Sequence, residues 1–294
     1  MADLKKHLPL IAFVLLGVIW GSNFIYMKLA AQLITPGQIV FYRVLFGFMP
    51  ILIYAIVTKS LRLSHLRHSI HFFVMSLLAT TVYYFGFAKG ASLLLSGLAG
   101  ALSGSIPLFS FVLAICFIAE EKAVFLKAVG IIVGFVGVAM IANPSSEGVQ
   151  SSNFLGVLYM VGGSLSVGAS FVYAKKFLTP LKIPALALTT YQLGFAMLLL
   201  ILFTDYTDIT NVFTDTHATL GLIIGLGILG TGLAYMIYYF LVARMGAVTA
   251  SSVTYIPPLV ALFIGSIIVG EPIGIKDYLA TVLIFLGVFL LRKR

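Results

Sequence analysis

The chain has 294 residues, of which 61% are hydrophobic and only 9% charged, with a mean hydropathy of +1.13. A soluble domain needs far more polar surface to cover itself, so a soluble enzyme or regulator is excluded and an integral membrane protein indicated. The net charge of +9 does not point to nucleic acid, because the basic residues stand at the ends of apolar runs, where topology puts them.

The runs are continuous stretches, whereas a transmembrane barrel would show alternating strands of ~10 residues, so each reads as a helical crossing. Cutting at polar clusters predicts ten helices. They fall at about 8 to 27, 36 to 58, 70 to 90, 92 to 119, 124 to 142, 154 to 174, 184 to 203, 218 to 240, 247 to 270 and 276 to 292. Lys5 and Lys6 before the first run mimic a signal peptide, but the run is long and many follow it, so it reads as a retained span. Span one carries WGSNFIYMK at 20 to 28, which sets Trp20, Ser22 and Asn23 in a greasy helix. Span two contains Arg43, and a charge at mid-membrane costs ~2.5 to 3.5 kcal/mol on insertion scales. Either Arg43 snorkels to the outer surface or caps neighbouring carbonyls, or it anchors a substrate carboxylate.

His65, His68 and His71 share a helix face before span three. Beside Arg62 and Arg67 they read as a solvated basic loop, and no metal site is expected. Span three supplies Tyr83 and Tyr84, and span four supplies Ser103, Ser105, Pro107 and the single cysteine, Cys116, which allows no disulfide. Ser164, Ser166 and Ser170 lie in span six, Tyr191 and Gln192 in span seven. The loop TDYTDITNVFTDTH, 204 to 217, is acidic without a Lys or Arg, as an outer loop would be. Span eight contains GLGILG, 225 to 230. With no strand before it, that run means helix packing and not nucleotide binding. Tyr235, Tyr238 and Tyr239 follow it, and then Ser251, Ser252, Thr254, Tyr255 and Pro257 in span nine. Pro107 and Pro257 each remove a helical hydrogen bond, freeing the carbonyls of Ser103 and Val253, and act as hinges or as fixed bends. Glu121 and Glu271 sit at helix ends and read as structural residues that lock adjacent spans. No acidic residue falls near the middle of a span, so the simplest mechanism for moving an organic cation has no candidate.

The chain is written twice. GSNFIYMK of span one matches GASFVYAK of span six, and YRVLFGF (42 to 48) matches YQLGFAM (191 to 197), setting Arg43 against Gln192. Ile-Pro recurs at 106 and 256, each proline followed 14 residues later by a glutamate, and FVGV at 135 recurs as FLGV at 285. This predicts domains 1–146 and 147–294, each a five-helix repeat. Five crossings is an odd number, so the second copy is inverted, the arrangement of carriers that work by alternating access. With the N-terminus placed in the cytoplasm, 14 of the 18 Lys and Arg fall at inner ends, which predicts both termini cytoplasmic. Lys28, Lys89 and Lys276 fall at outer ends and Arg43 within span two.

Two five-helix halves, the Trp-Gly-Ser-Asn-Phe of span one, the arginine of span two, and the segments IPLFSFVLAICFIAEE and IPPLVALFIGSIIVGE resemble the drug/metabolite transporter superfamily, more narrowly its ten-helix EamA-type members. The resemblance covers nearly the whole chain. It implies an all-α integral membrane protein with a central cavity, often an exporter of amino acids or other small metabolites in a bacterial inner membrane. The expected lining of that cavity is Trp20, Asn23, Arg43, Tyr83, Tyr84, Ser103, Ser170, Gln192, Tyr239, Ser252 and Tyr255. Neutral donors with aromatic walls suit a zwitterionic or neutral amphipathic solute, and Arg43 leaves open an anionic, phosphorylated or carboxylated one. No catalytic residue or cofactor is implied, nor a nucleic-acid partner. The expected partners are a small-molecule substrate and the bilayer, with the chain a monomer or weak dimer. A membrane-embedded enzyme would need a nucleophile, acid-base pair or metal cluster at membrane depth. A scaffold or receptor is disfavoured by the lack of a sizeable soluble domain.

Overall fold

The structure is a computed structural model that describes residues 2–118, 125–142, 151–245, 250 and 252–292. Glu121, read above as a helix-end lock, lies outside the described residues, as do Ser251 and the last two basic residues. Among the described residues every regular element is helical. We number the helical rods α1 (Ala2–Ala30), α2 (Pro36–Val57), α3 (Leu63–Leu93), α4 (Ser96–Phe117) and α5 (Phe125–Ala142). They continue as α6 (Phe154–Leu181), α7 (Ala185–Phe203), α8 (Thr216–Met245), α9 (Ser252–Val269) and α10 (Ile275–Arg292). Eight of them, all but α5 and α10, are long and apolar enough to cross a membrane, and α5 contributes a shorter apolar stretch, Phe125–Ile141. Lipid-facing positions are apolar, with Val57, Phe203 and Ile268 well exposed.

Local chemistry sets the ends. Thr35 caps α2 in a reciprocal box: its hydroxyl accepts from Gln38 N–H, while Gln38 Oε1 accepts from Thr35 N–H at 2.9 Å. Pro36 follows at the first helical position, where its missing N–H is not needed. The Gln38 amide also donates to the carbonyls of Asp205 (2.8 Å) and Thr207 (2.6 Å), tying α2 to the acidic loop. Asp215 caps α8 by accepting from Ala218 N–H at 2.7 Å. Gly270, at φ +72°, ends α9 in the left-handed region that glycine enters without strain.

Several rods are irregular inside. α4 breaks at Gly104–Ser105, and Pro107 stands in the first turn of its second piece, Ile106–Phe117. Pro257 holds the same place in Ile256–Phe263, after a tight turn at Ser252–Tyr255. α3 widens to π winding at Leu77–Thr81, and α8 does so over Gly221–Leu233. Such stretches displace backbone carbonyls from regular bonding.

Between lipid-covered helices there is no hydrophobic drive, so association rests on close packing at small residues. α2 packs on α8, where a Cβ at Gly47 would stand 2.8 Å from the Gly227 carbonyl. α3 packs on α6 through Gly86 and Gly163, α4 on α9 at Gly100 and Ala261, and α5 on α10 at Gly134 and Gly287. α1 packs on α8 and α9, and α7 on α2 and α3. At the α4 end Glu271 Oε1 accepts from Ser96 N–H (2.8 Å) and Ser96 Oγ–H (2.7 Å), and Oε2 accepts from Gly97 N–H (2.9 Å). A carboxylate on a helix N-terminus satisfies free donors and complements the dipole. Lys28 lies close enough to be attracted by it, and its ammonium donates to the Leu94 carbonyl at 2.6 Å.

Candidate functional site

Arg43 is 1% exposed, so it does not snorkel. Its Nε donates to Thr231 Oγ1 at 2.9 Å and its Nη2 to the Gly230 carbonyl at 3.1 Å, both in the π-wound part of α8. Its guanidinium lies over the Tyr84 ring, 3.5 Å from the centroid, where the ring face attracts a cation. With its amide oxygen turned to Arg43, Asn23 accepts from Nη2 at 2.9 Å and donates to the Ile19 carbonyl at 3.0 Å. Among the described residues Nη1 meets Met27 Sδ, at 3.9 Å, a weak acceptor. None of these partners is a carboxylate, so among the described residues the guanidinium is buried as an uncompensated charge. The guanidinium thus caps a carbonyl of a neighbouring helix, one of the readings above, with a ring face beneath it.

Around the guanidinium runs a chain of rings. Tyr84 touches Tyr83 (centroids 4.9 Å apart) and Tyr235 (6.3 Å), and Tyr235 leads edge-on to Tyr238 at 5.8 Å. Tyr238 contacts Tyr239 (5.0 Å), Phe171 (4.9 Å) and Trp20 (6.4 Å). All are buried, and two have polar atoms with no hydrogen bond, Trp20 Nε1 and Tyr235 Oη. The Tyr235 hydroxyl lies near Tyr84 and Thr80 but in poor bonding geometry. A buried donor left unmade costs about 1 to 3 kcal/mol, so each of these two is a local cost to the fold.

A second polar knot adjoins the rings. Gln192 Nε2 donates to Thr80 Oγ1 at 2.7 Å, and Tyr239 donates to Gln192 Oε1. Thr80 stands in the π-wound stretch of α3 as Thr231 does in that of α8. The two residues at matching sequence positions, Arg43 and Gln192, thus each reach a threonine in a widened helix across the fold.

The other expected lining residues bond within their own helices or sit in a turn, Ser170 at the edge of the ring cluster. Ser103 donates to its own helix at Gly100 and Ser170 to Val167, the latter with a long 3.4 Å contact to Tyr238. Ser252 and Tyr255 occupy the turn before Pro257, and Tyr255 packs against the small cluster of Leu108, Phe111 and Val288. Thr231, Thr80 and Met27 complete the cluster but are not among the expected lining. Thr231 sits in a glycine-rich run that reads as packing. Of the histidines, His71 Nδ1 bonds the Tyr173 hydroxyl at 2.7 Å, and no metal-binding group of three occurs among the described residues.

The sequence profile of the EamA-like transporter family matches residues 7–143 and again 154–293. The chain belongs to that family. It is thereby a membrane transporter, and the comparisons with individual proteins agree. An uncharacterized transporter of Archaeoglobus fulgidus is 25% identical over 276 residues, covering 94% of this chain and 95% of that protein. The uncharacterized transporter YoaV of Bacillus subtilis is 24% identical, covering 93% and 92%. The uncharacterized inner membrane transporter YedA of Escherichia coli is 25% identical, covering 97% and 91%. A crystal structure superposes with a TM-score of 0.62 at 16% identity, covering 97% of this EamA-like chain and 95% of that one, which shows the shared fold. The cluster around Arg43 lies at the meeting of α1, α2, α3 and α8 of this transporter.

Proposed function

We propose that this protein is a secondary active transporter that works by alternating access and exports a small amphipathic metabolite bearing a carboxylate, foremost an amino acid with a sizeable side chain. The observation that carries this reading is the buried Arg43 guanidinium, stacked on Tyr84 with Nη1 unmatched by any strong acceptor. A carboxylate of the solute would take that position in a charge-assisted, directional contact. Its ammonium would rest on the faces of Tyr235 and Tyr238, where a ring cage replaces hydration without a buried acid. The unbonded Trp20 Nε1 and Tyr235 Oη would hold the remaining polar atoms.

Two observations support an inverted pair of five-helix repeats, 1–146 and 147–294, with ten crossings. The family profile matches twice, and the packing is reciprocal: α3 lies on α6 as α8 lies on α1, and α2 lies on α8 as α7 lies on α3. In this reading the site is occluded, since every ring of the cluster is buried, and loading requires the halves to rock apart. Both termini face the cytoplasm of a bacterial inner membrane, following the basic residues.

The test is counterflow of radiolabelled amino acids in proteoliposomes, with Arg43→Gln beside the wild type. We expect uptake of aromatic or large aliphatic amino acids, and a loss for Arg43→Gln of at least tenfold in transport efficiency, the ~1.4 kcal/mol of one charge-assisted contact. Transport of the amino acid amide equal to that of the acid would remove Arg43 from substrate recognition. A dicarboxylate or phosphorylated sugar carried in preference would assign the same arginine to a fully anionic cargo.

A further inference from the structure

Where α2 leads into α3 and α6 into α7, the chain encloses a cavity of about 330 Å³, and Lys182 in its lining also borders a neighbouring cavity that reaches Tyr239. Three fixed cations line it, Arg62 just before α3, Arg67 in the first turns of α3 and Lys182 in the turn after α6, together with His65 and His68. No acidic residue lines it. The positive-inside bias explains basic loops but asks only that charge be present somewhere in them. It does not ask cations from two loops to converge on one hollow, where their mutual repulsion is a cost.

The hollow is also built. Tyr191 of α7 accepts from the Arg62 N–H at 3.2 Å and donates to the Arg62 carbonyl at 3.1 Å, pinning the backbone there. Its ring stacks on Phe72 at 4.7 Å and meets His65 edge-on at 5.8 Å. Arg67 Nε donates to His68 Nε2 at 2.8 Å. Lys182 holds φ +54°, a conformation a lysine rarely adopts, at the tight turn that closes α6. His65 Nδ1 is buried and has no hydrogen-bond partner. Beside the cations the start of α3 exposes Leu63 (87%), Leu66 (47%) and Ile70 (62%). A cationic hollow bordered by apolar side chains at the end of the crossings matches the two-part chemistry of a phospholipid, an anionic head with acyl chains beside it.

We propose that this pocket binds the phosphodiester headgroup of an anionic phospholipid, with the acyl chains lying along Leu63, Leu66 and Ile70. Arg62, Arg67 and Lys182 supply the charge, and His65 Nδ1 supplies a donor or acceptor to the head.

The full-length protein purified in detergent is titrated with short-chain phosphatidylglycerol, short-chain phosphatidylcholine and inorganic phosphate, reading thermal stability and adducts retained in native mass spectrometry. Phosphatidylglycerol is expected to raise the melting temperature and persist as an adduct, phosphatidylcholine and phosphate to do neither. The variant Arg62→Gln/Arg67→Gln/Lys182→Asn is expected to bind phosphatidylglycerol roughly hundredfold more weakly, since each basic residue near an anionic lipid contributes about one kcal/mol. Asparagine is chosen because it tolerates the left-handed backbone at that position. Should the triple variant melt far lower without lipid, the single Arg67→Gln variant takes its place, with a smaller loss expected. Equal protection of variant and wild type overturns the proposal, as does no protection of the wild type. Protection by inorganic phosphate as strong as by the lipid overturns the phospholipid assignment in favour of a soluble phosphate.

Discussion

Glu271 shows how much one side chain fixes. Its two oxygens accept three hydrogen bonds from Ser96 and Gly97, closing the N-terminus of α4 with a residue from beyond the end of α9. Charge-assisted bonds of this kind contribute about 1.5 to 3 kcal/mol, so Glu271→Ala should lower the melting temperature of the detergent-purified protein by several degrees. An unchanged melt would show that water satisfies α4 equally well. The sequence marks Glu271, because the proline-to-glutamate spacing occurs twice, but not its partner, since nothing local says which distant helix end a carboxylate will reach. Arg43 is likewise conspicuous as a charge in an apolar run, and only the fold shows that it is buried with no carboxylate partner among the described residues. Thr231 escapes notice because a threonine among glycines and leucines hardly changes the hydropathy of its helix.

At the scale of elements, the predicted ends lie close to the observed ones where proline, glycine or charge punctuates the chain: 36 to 58 against Pro36–Val57, 184 to 203 against Ala185–Phe203. They miss where the helix changes its winding. α3 begins at Leu63, earlier than the apolar run, through a tight turn of basic residues, and α4 begins at Ser96 because Leu94 and Leu95 are extended. The π stretches leave no hydropathic trace, since they alter bonding and not composition. Crossings rest instead on small residues, and neighbouring helices divide those sharply. A methyl at Gly86 would lie 2.8 Å from the Tyr159 carbonyl, whereas one at Gly162 meets nothing within 4 Å. Gly86→Ala should therefore force α3 from α6 and destabilise by about 1 to 3 kcal/mol, and Gly162→Ala should be neutral or slightly stabilising through helix propensity. Paired thermal melts decide it, and equal melts would mean that this crossing yields freely.

For the whole molecule, the arrangement of charge predicts sidedness. With Cys116 replaced by alanine, a cysteine at Thr210 in the acidic loop should react with a membrane-impermeant maleimide in intact cells, and one at Ser64 should react only after lysis. The reverse pattern would turn the proposed topology over. The helical membrane fold is legible in one sequence because it is a long-range pattern that hydropathy preserves. The site is less so, because it forms only where α1, α2, α3 and α8 meet, and four runs of apolar sequence do not announce which of their faces will touch. One part of that meeting has a use of its own. The molecule holds a single tryptophan, Trp20, buried beside Tyr238 with Tyr235 and Tyr239 behind it. Light absorbed by those tyrosines has one indole to which it can pass, so the protein carries a built-in fluorophore at the spot proposed for its cargo, and its emission colour reports whether that spot is dry or wet.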